Sequence, residues 1–285
     1  MSKSILITGS TGFIGSYILE ILLKKKYKVF KLVRNKKLKN DEFFCDLSDP
    51  NLILSLKNKI KVDVIIHFGA YIDFNKQDLN EIHNSNILGT ACLISLAKIW
   101  NSKFIFASTA LIHGLNTKKI NIKSKIVNDH PYTHSKWLGE KMIFSAGIDN
   151  CILRIGGVYG FNGPRHLGLN NNIISAMNGI TPSLSVKGNI KRNYIYVKDL
   201  ALFVLKILEN NISGIHYLSS SEVLTMKEMT EMICEVFLKN KQPYKTEMKS
   251  SYSQIIEPSE LFKYKYTFKK ALLDIKRDFK RNNIF

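Results

Sequence analysis

The feature that most constrains this chain stands near its N-terminus. There the apolar run Ile5-Leu6-Ile7 enters Thr8-Gly9-Ser10-Thr11-Gly12-Phe13-Ile14-Gly15, and a helical pattern follows through Leu19, Leu22 and Leu23. Strand, glycine turn and helix follow one another. Gly9 permits a tight turn, Gly12 lets backbone approach a pyrophosphate, and Gly15 lets the helix pack close to a sheet. Phosphate then lies against the helix N-terminus, where free N–H groups and the macrodipole favour an anion. The spacing is G-x-x-G-x-x-G rather than G-x-G-x-x-G, so its place between strand and helix carries the reading.

Apolar runs alternate with helix-period segments through the first half. Strands are expected near 4 to 7, 28 to 33, 63 to 68, 103 to 108 and 151 to 155, and helices near 13 to 25, 78 to 100 and 131 to 146. Strands so rich in Ile, Val and Phe, separated by helices, predict a parallel sheet covered on both faces. The expected class is α/β, a Rossmann-type doubly wound parallel sheet whose ligand lies at the carboxyl ends of the strands. After Arg154 the pattern loosens through Gly156, Gly157, Gly160, Gly163 and Pro164, with helices near 169 to 179, 197 to 210, 225 to 240 and 268 to 282. We expect a dinucleotide-binding domain over 1–155 and mainly a smaller C-terminal substrate-binding lobe over 156–285. Residues 192–210 are expected to return to the first domain, with a cleft between the two.

Composition narrows the partners. Cys45, Cys92, Cys151 and Cys234 lack C-x-x-C spacing and read as reduced core residues, which fits a cytoplasmic enzyme better than a disulfide scaffold. The first apolar stretch is too short for a signal peptide, and no run is long enough to insert in a membrane. A net charge of +19 raises nucleic acid as a partner. The basic residues are dispersed, without zinc spacing, an RNA-binding signature or an aromatic platform, so none is expected. The charge suits steering of an anionic small substrate.

Chemistry concentrates in Asp129-His130-Pro131-Tyr132-Thr133-His134-Ser135-Lys136. Asp129 is expected to cap a helix that Pro131 opens, which places Tyr132 and Lys136 on one face. Tyr27/Lys31, Tyr194/Lys198 and Tyr266/Lys270 share the spacing, and with 12 Tyr and 42 basic residues about two such pairs arise by chance. Tyr27/Lys31 falls on a predicted strand, Tyr194/Lys198 straddles a strand-to-helix junction, and Tyr266/Lys270 is remote in sequence from any cofactor motif, whereas Tyr132/Lys136 lies within one predicted helix. Lowering a phenol pKa by about three units takes roughly 4 kcal/mol. An ammonium about 4 Å away supplies about 1 kcal/mol in water and about 4 at an intermediate dielectric. We therefore expect a partly desolvated site in which Lys136 lowers the Tyr132 pKa. Ser108 and Thr109, closing the strand Lys103-Phe104-Ile105-Phe106-Ala107, supply hydroxyls for a substrate carbonyl.

These motifs, in this order, resemble the extended short-chain dehydrogenase/reductases of the NAD-dependent epimerase/dehydratase family, which act on nucleotide sugars. The resemblance covers nearly the whole chain. It includes the glycine turn, Asp46-Leu47 after the family's third strand, Asp63 to Ala70, Asn86 with Gly89-Thr90, Ser108-Thr109, Tyr132 and Lys136. It continues through Leu153-Arg154, Val158-Tyr159-Gly160 and Arg192 to Asp199. It implies that Thr109, Tyr132 and Lys136 are catalytic: Thr109 binds the carbonyl oxygen, Tyr132 transfers the proton and Lys136 holds the ribose. Cofactor contacts are implied for Gly9, Gly12, Phe13, Ile14, Gly15, Arg34, Asp46, Leu47, Gly69 and Ala70, and substrate contacts for Ser108, Tyr71 and Arg192. A homodimer through helices 78 to 100 and 131 to 146 is open. Three positions depart from the pattern: His113 replaces a Tyr and reads as a solvated or loop-bonded histidine ahead of a substrate contact, Gly157 replaces an Asn, and Asn193 replaces an Asp.

The second predicted strand ends at Val33-Arg34-Asn35 and continues into Lys36 and Lys37, without the acid that would select NAD. Arg34 suits a phosphate, so NADP is the expected cofactor with NAD as the alternative. A reductase consumes NADPH at each turnover, whereas an epimerase recycles bound NAD. The leading expectation is an NADPH-dependent reductase of a keto group on a nucleotide-activated sugar, and the alternative is a 4-epimerase. A silent NADP sensor and a reductase of small lipophilic ketones, hinted at by Tyr71-Ile72-Asp73-Phe74, are the remaining readings.

Overall fold

The computed structural model describes residues 3–35, 37–72, 78–184, 189–239, 241, 243–245 and 252–282; Lys36, Asp73 and Phe74, named above, lie outside these. A seven-stranded sheet runs in the order Gly214–Leu218, Asn150–Ile155, β5 (Lys103–Thr109), β4 (Val64–His67), β1 (Ser4–Thr8), β2 (Lys28–Val33) and β3 (Glu42–Phe44). Strand β1 pairs in parallel with both β2 and β4, bringing Thr8 level with Leu32 on one side and His67 on the other. The chain winds outward in both directions from this point, which is where a doubly wound sheet opens a crevice. Ile5, Leu6 and Ile7 are fully buried, as a strand covered on both faces requires.

Two strands of this sheet were not among those read from apolar runs, although the family resemblance implied one before Asp46. Glu42–Phe44 has only three residues, and Gly214–Leu218 carries His216 and Tyr217 among its apolar positions, so neither presents an apolar run. Helices α1 (Phe13–Lys24) and α2 (Pro50–Ser55) follow β1 and β3, the second capped by the Asp49 carboxylate, which accepts from the Asn51 and Leu52 N–H groups. The expected helix near 78 to 100 is three pieces: α3 (Leu79–Glu81), a π-helical stretch Ile82–Leu88, and α4 (Gly89–Trp100). A Cβ on Gly89 would collide with the Leu47 carbonyl, so the loop after β3 fixes where α4 begins.

Helix α5 (Pro131–Ala146) corrects the expected cap. His130, not Asp129, stands at the N-cap in an extended conformation, and its Nδ1 accepts from the Tyr132 N–H at 3.1 Å. The imidazole meets a first-turn donor that a carboxylate usually takes. Beneath α5, Glu140 accepts from Arg154 Nη2 at 2.7 Å, Arg154 Nε at 3.1 Å and Ser108 Oγ at 2.5 Å. All three residues are buried, so this pair locks α5 to β5 and Asn150–Ile155.

The described residues group into two compact units. The first comprises 1–115, 125–155 and 201–216, and holds β1 to β5 and α1 to α5. The second comprises 116–124, 156–200 and 217–285, and includes α6 (Gly168–Met177), α8 (Met226–Leu238) and α9 (Phe268–Asn282). Helix α7 (Val197–Asn210) begins in the second unit and ends in the first. In the second unit, buried Asn193 donates to the Ser220 and Ile256 carbonyls and accepts from the Ile256 N–H. The amide at this departure from the family pattern both donates and accepts, which an ionised carboxylate does not do.

Replacing Glu140 with Ala removes the carboxylate that faces the buried Arg154 cation, and we expect a loss of about 3–5 kcal/mol. Glu20→Ala, which removes an exposed i,i+4 partner of Lys24, should cost under about 1 kcal/mol. Thermal unfolding of the two variants checks the difference.

Candidate active site

The glycine turn forms one wall of the crevice between β1 and β4. Gly9 has φ +73, and a Cβ there would lie 2.7 Å from the Gly69 nitrogen. A Cβ on Gly15 would strike the Gly9 carbonyl, so both positions are glycine for reasons internal to the fold. Gly12 differs. Its Cβ would meet only the Gly9 oxygen, at 3.2 Å, so close approach from outside is what the missing side chain permits. No side chain caps α1, and the buried Ser10 hydroxyl beside it has no partner among the described residues. Phe13 and Ile14, half-buried, begin the helix whose first N–H groups are uncapped.

The other wall follows β4. Gly69 donates to Thr8 Oγ1 at 2.9 Å, and the Leu47 side chain fills the space where a Gly69 Cβ would stand. Ala70, next along the chain, is half-buried. Asp46 Oδ1 accepts from the Ser48 N–H and hydroxyl at 3.0 and 2.8 Å, which orients its carboxylate. Gly9, Gly69 and Leu47 thus come together. Arg34 follows directly on β2, exposed, with no ion pair among the described residues. Asn35 turns inward to its own loop and accepts from the Lys37 N–H.

Helix α5 brings Tyr132 and Lys136 to one face. The Lys136 ammonium lies 4.9 Å from the Phe106 ring centre and 6.0 Å from that of Tyr132. Phe106 fits under α5 because Gly139 has no side chain to oppose its ring. The other Tyr/Lys spacings include lysines already committed to carboxylates: Lys31 pairs with Glu42, and Lys198 with Asp274 and Asp278. Lys136, only 3% exposed, has neither a carboxylate nor a hydrogen-bond partner among the described residues. Burying an ammonium without acceptors is costly, and such a group gives up its proton more readily.

The expected phenol pKa is corrected here. Burial pushes Tyr132 above its ordinary value and pulls Lys136 down to about 7. Desolvation outweighs the attraction of a lysine that is itself losing its charge. Two hydroxyls close β5. Ser108, expected at the substrate, donates to buried Glu140 and is itself buried. Thr109 Oγ1 accepts from the Leu111 N–H at 3.2 Å and makes only a long contact, 3.5 Å, to the Ile155 carbonyl, so its hydroxyl proton can be redirected.

Asn86 links these parts, and its role was missed in the sequence. Its Oδ1 accepts from the Tyr71 N–H at 2.7 Å, and its Nδ2 donates to the Tyr71 carbonyl and to Ser135 Oγ, at 2.9 and 3.2 Å. Tyr71 is therefore held through its backbone beside the Tyr132 helix. Only the π-helical stretch signals this, and it leaves no trace in apolar periodicity. His113 is fully buried, its Nδ1 2.8 Å from the Lys125 carbonyl, and is loop-bonded. Arg192 belongs to the second unit, where its buried Nη1 has no hydrogen-bond partner among the described residues. Gly157 there leaves room for the Tyr194 ring.

A doubly wound sheet, an uncapped helix at a glycine turn and a Tyr/Lys helix together define an extended short-chain dehydrogenase/reductase. The NAD dependent epimerase/dehydratase family matches residues 5–219, and the chain belongs to that family. A Methanocaldococcus jannaschii protein provisionally named a UDP-glucose 4-epimerase is 32% identical over 216 residues, 69% of this chain and 70% of its own. The dTDP-D-glucose 4,6-dehydratase of Dictyostelium discoideum is 26% identical over 270 residues, covering 82% of this chain and 62% of its own length. The structure of a UDP-N-acetylglucosamine 4-epimerase from Bacillus cereus superposes with TM-score 0.83 at 25% identity, over 98% of this chain and 100% of that one.

The Lys136 pKa of about 7 lies below that of the unfolded chain, so between the two values the unfolded state binds more protons. The stability penalty of burying this ammonium is full below pH 7 and fades as pH rises. Lys136→Met should therefore raise the melting temperature most near pH 6, with the gain shrinking towards about pH 9. Paired thermal melts across that range measure it.

Proposed function

We propose that the protein is an NADPH-dependent reductase of a keto group, at C4, on a nucleotide-activated sugar, serving the synthesis of surface polysaccharide or deoxysugars. The observation that carries the choice of NADP is the exposed Arg34 just after β2, with no ion pair among the described residues and no acid beside it in the described turn. A guanidinium there suits a 2′-phosphate and gives no acceptor to free ribose hydroxyls. In this reading Gly9, Gly12, Phe13, Ile14 and Gly15 receive the pyrophosphate, Asp46 and Leu47 the adenine, and Gly69 and Ala70 run along the dinucleotide. The bound dinucleotide supplies the hydride.

The chain's own groups handle the proton. Burial keeps the Tyr132 phenol protonated at neutral pH, the state required to protonate the oxygen of a reduced carbonyl. Lys136 donates to ribose hydroxyls and, once paired with them, recovers its charge and stabilises the phenolate left behind. Thr109 turns its hydroxyl to the same substrate oxygen while its lone pair stays on the Leu111 N–H. Tyr71 borders the sugar, and Arg192 takes its diphosphate. A homodimer through α4 and α5 suits Ile99 and Phe144, which stand exposed on those helices.

The second reading is an NAD-dependent nucleotide-sugar 4-epimerase, favoured by the family and by the Bacillus cereus enzyme it resembles. Purified protein with NADPH and a 4-keto nucleotide sugar separates the two. Stoichiometric loss of NADPH absorbance is expected, whereas isomer formation without net oxidation would establish the epimerase. Tyr132→Phe should lower turnover by about 10²–10⁴-fold, read in the same assay.

A further inference from the structure

A continuous chain of buried hydrogen bonds joins the carboxyl ends of β1 and β4 to α4. Gly69 N–H donates to Thr8 Oγ1 at 2.9 Å, and that oxygen lies 2.7 Å from His67 Nδ1. His67 Nε2 lies 3.0 Å from Thr90 Oγ1, which donates to the Asn86 carbonyl at 2.6 Å. Counting protons sets the direction of every bond. Thr90 spends its one proton on Asn86, so it accepts from an Nε2–H; Nδ1 then holds a lone pair and takes the Thr8 proton, while Thr8 accepts from Gly69. A neutral imidazole protonated on Nε2 satisfies the whole chain.

Its surroundings enforce that state. His67 is fully buried, with ring centres 6.0 and 5.7 Å from Phe104 and Phe106, and burial followed by the nearby Lys136 charge holds its pKa well below the ordinary value. Phe106 is also the ring that carries the Lys136 ammonium. At the Gly69 end the backbone passes so close to Gly9 that a Cβ on Gly9 would lie 2.7 Å from the Gly69 nitrogen. The other end holds the π-helical stretch in which Asn86 grips Tyr71 and Ser135.

We propose that His67 is a positioning residue for the dinucleotide site, a neutral Nε2–H imidazole that sets Gly69 against Gly9 and ties the Asn86 turn to the strand ends. This rests on the dinucleotide reading above. Gln, Asn or a charged side chain fits less well, because the position needs an acceptor and a donor on opposite edges of one flat ring, without charge beside Lys136.

The test measures NADPH and NADH dissociation constants for the wild type, His67→Phe, Thr90→Val and Thr90→Ser, together with the imidazole ¹⁵N spectrum of the wild type. His67→Phe keeps a flat ring and loses both bonds; Thr90→Val keeps the shape and strands the Nε2–H. Each should weaken dinucleotide binding about tenfold. Thr90→Ser should stay near wild type. In turnover, the NADPH KM should rise with kcat little changed at saturation, a split that general destabilisation does not give. The spectrum should show the Nε2–H tautomer without titration between about pH 5.5 and 8.5. If His67→Phe does not fold, the Val and Ser variants of Thr90 decide. Wild-type affinity in every folded variant, an Nδ1–H tautomer, or titration near the ordinary histidine value would overturn the inference. A wild type that binds neither dinucleotide would instead bring down the proposed function beneath it.

Discussion

The site is organised around a buried ammonium that has no carboxylate partner among the described residues. Lys136 rests its charge against the faces of Phe106 and Tyr132 and makes no hydrogen bond among the described residues. Cation–π contacts supply about 0.5–2 kcal/mol, well short of the several kcal/mol that burying a charge costs, and the Lys136 pKa of about 7 records the deficit. In the proposed reading, a ligand with hydroxyls to offer makes up that deficit. The α1 N-terminus has no side-chain cap, and the Ser10 hydroxyl beside it has no partner among the described residues, an arrangement that favours an anion.

These features converge because of strand order. Pairing β1 with β2 on one side and β4 on the other brings the ends of β1 and β4 together, and the glycine turn, Gly69 and Leu47 follow from that register. Helix α5 then sits on a rigid base. The Glu140–Arg154–Ser108 cluster fixes its underside, and Gly139 admits the Phe106 ring on which Lys136 rests.

Much of this was legible in the sequence, for local reasons. The strand, glycine turn and first helix were written in consecutive residues, and Pro131 marked the start of α5. Hydrogen-bonding partners were not legible, because they are distant in sequence. Ser108 looked equivalent to Thr109 until Glu140, on another element, claimed its hydroxyl. Asp129 was the natural cap by residue type, and the backbone conformation of His130 decided otherwise. The direction of the Tyr132 shift also failed to follow from spacing, since an i+4 lysine lowers a phenol only while it keeps its own charge.

The central claim is that a dinucleotide completes Lys136. Calorimetric titration of the protein with NADPH near pH 8, in two buffers of different ionisation enthalpy, reads this directly, because a lysine whose pKa is restored must take up a proton on binding. The account requires tight binding with uptake of close to one proton, abolished in Lys136→Met. Binding without proton uptake, or no binding of either NADPH or NADH, would contradict it.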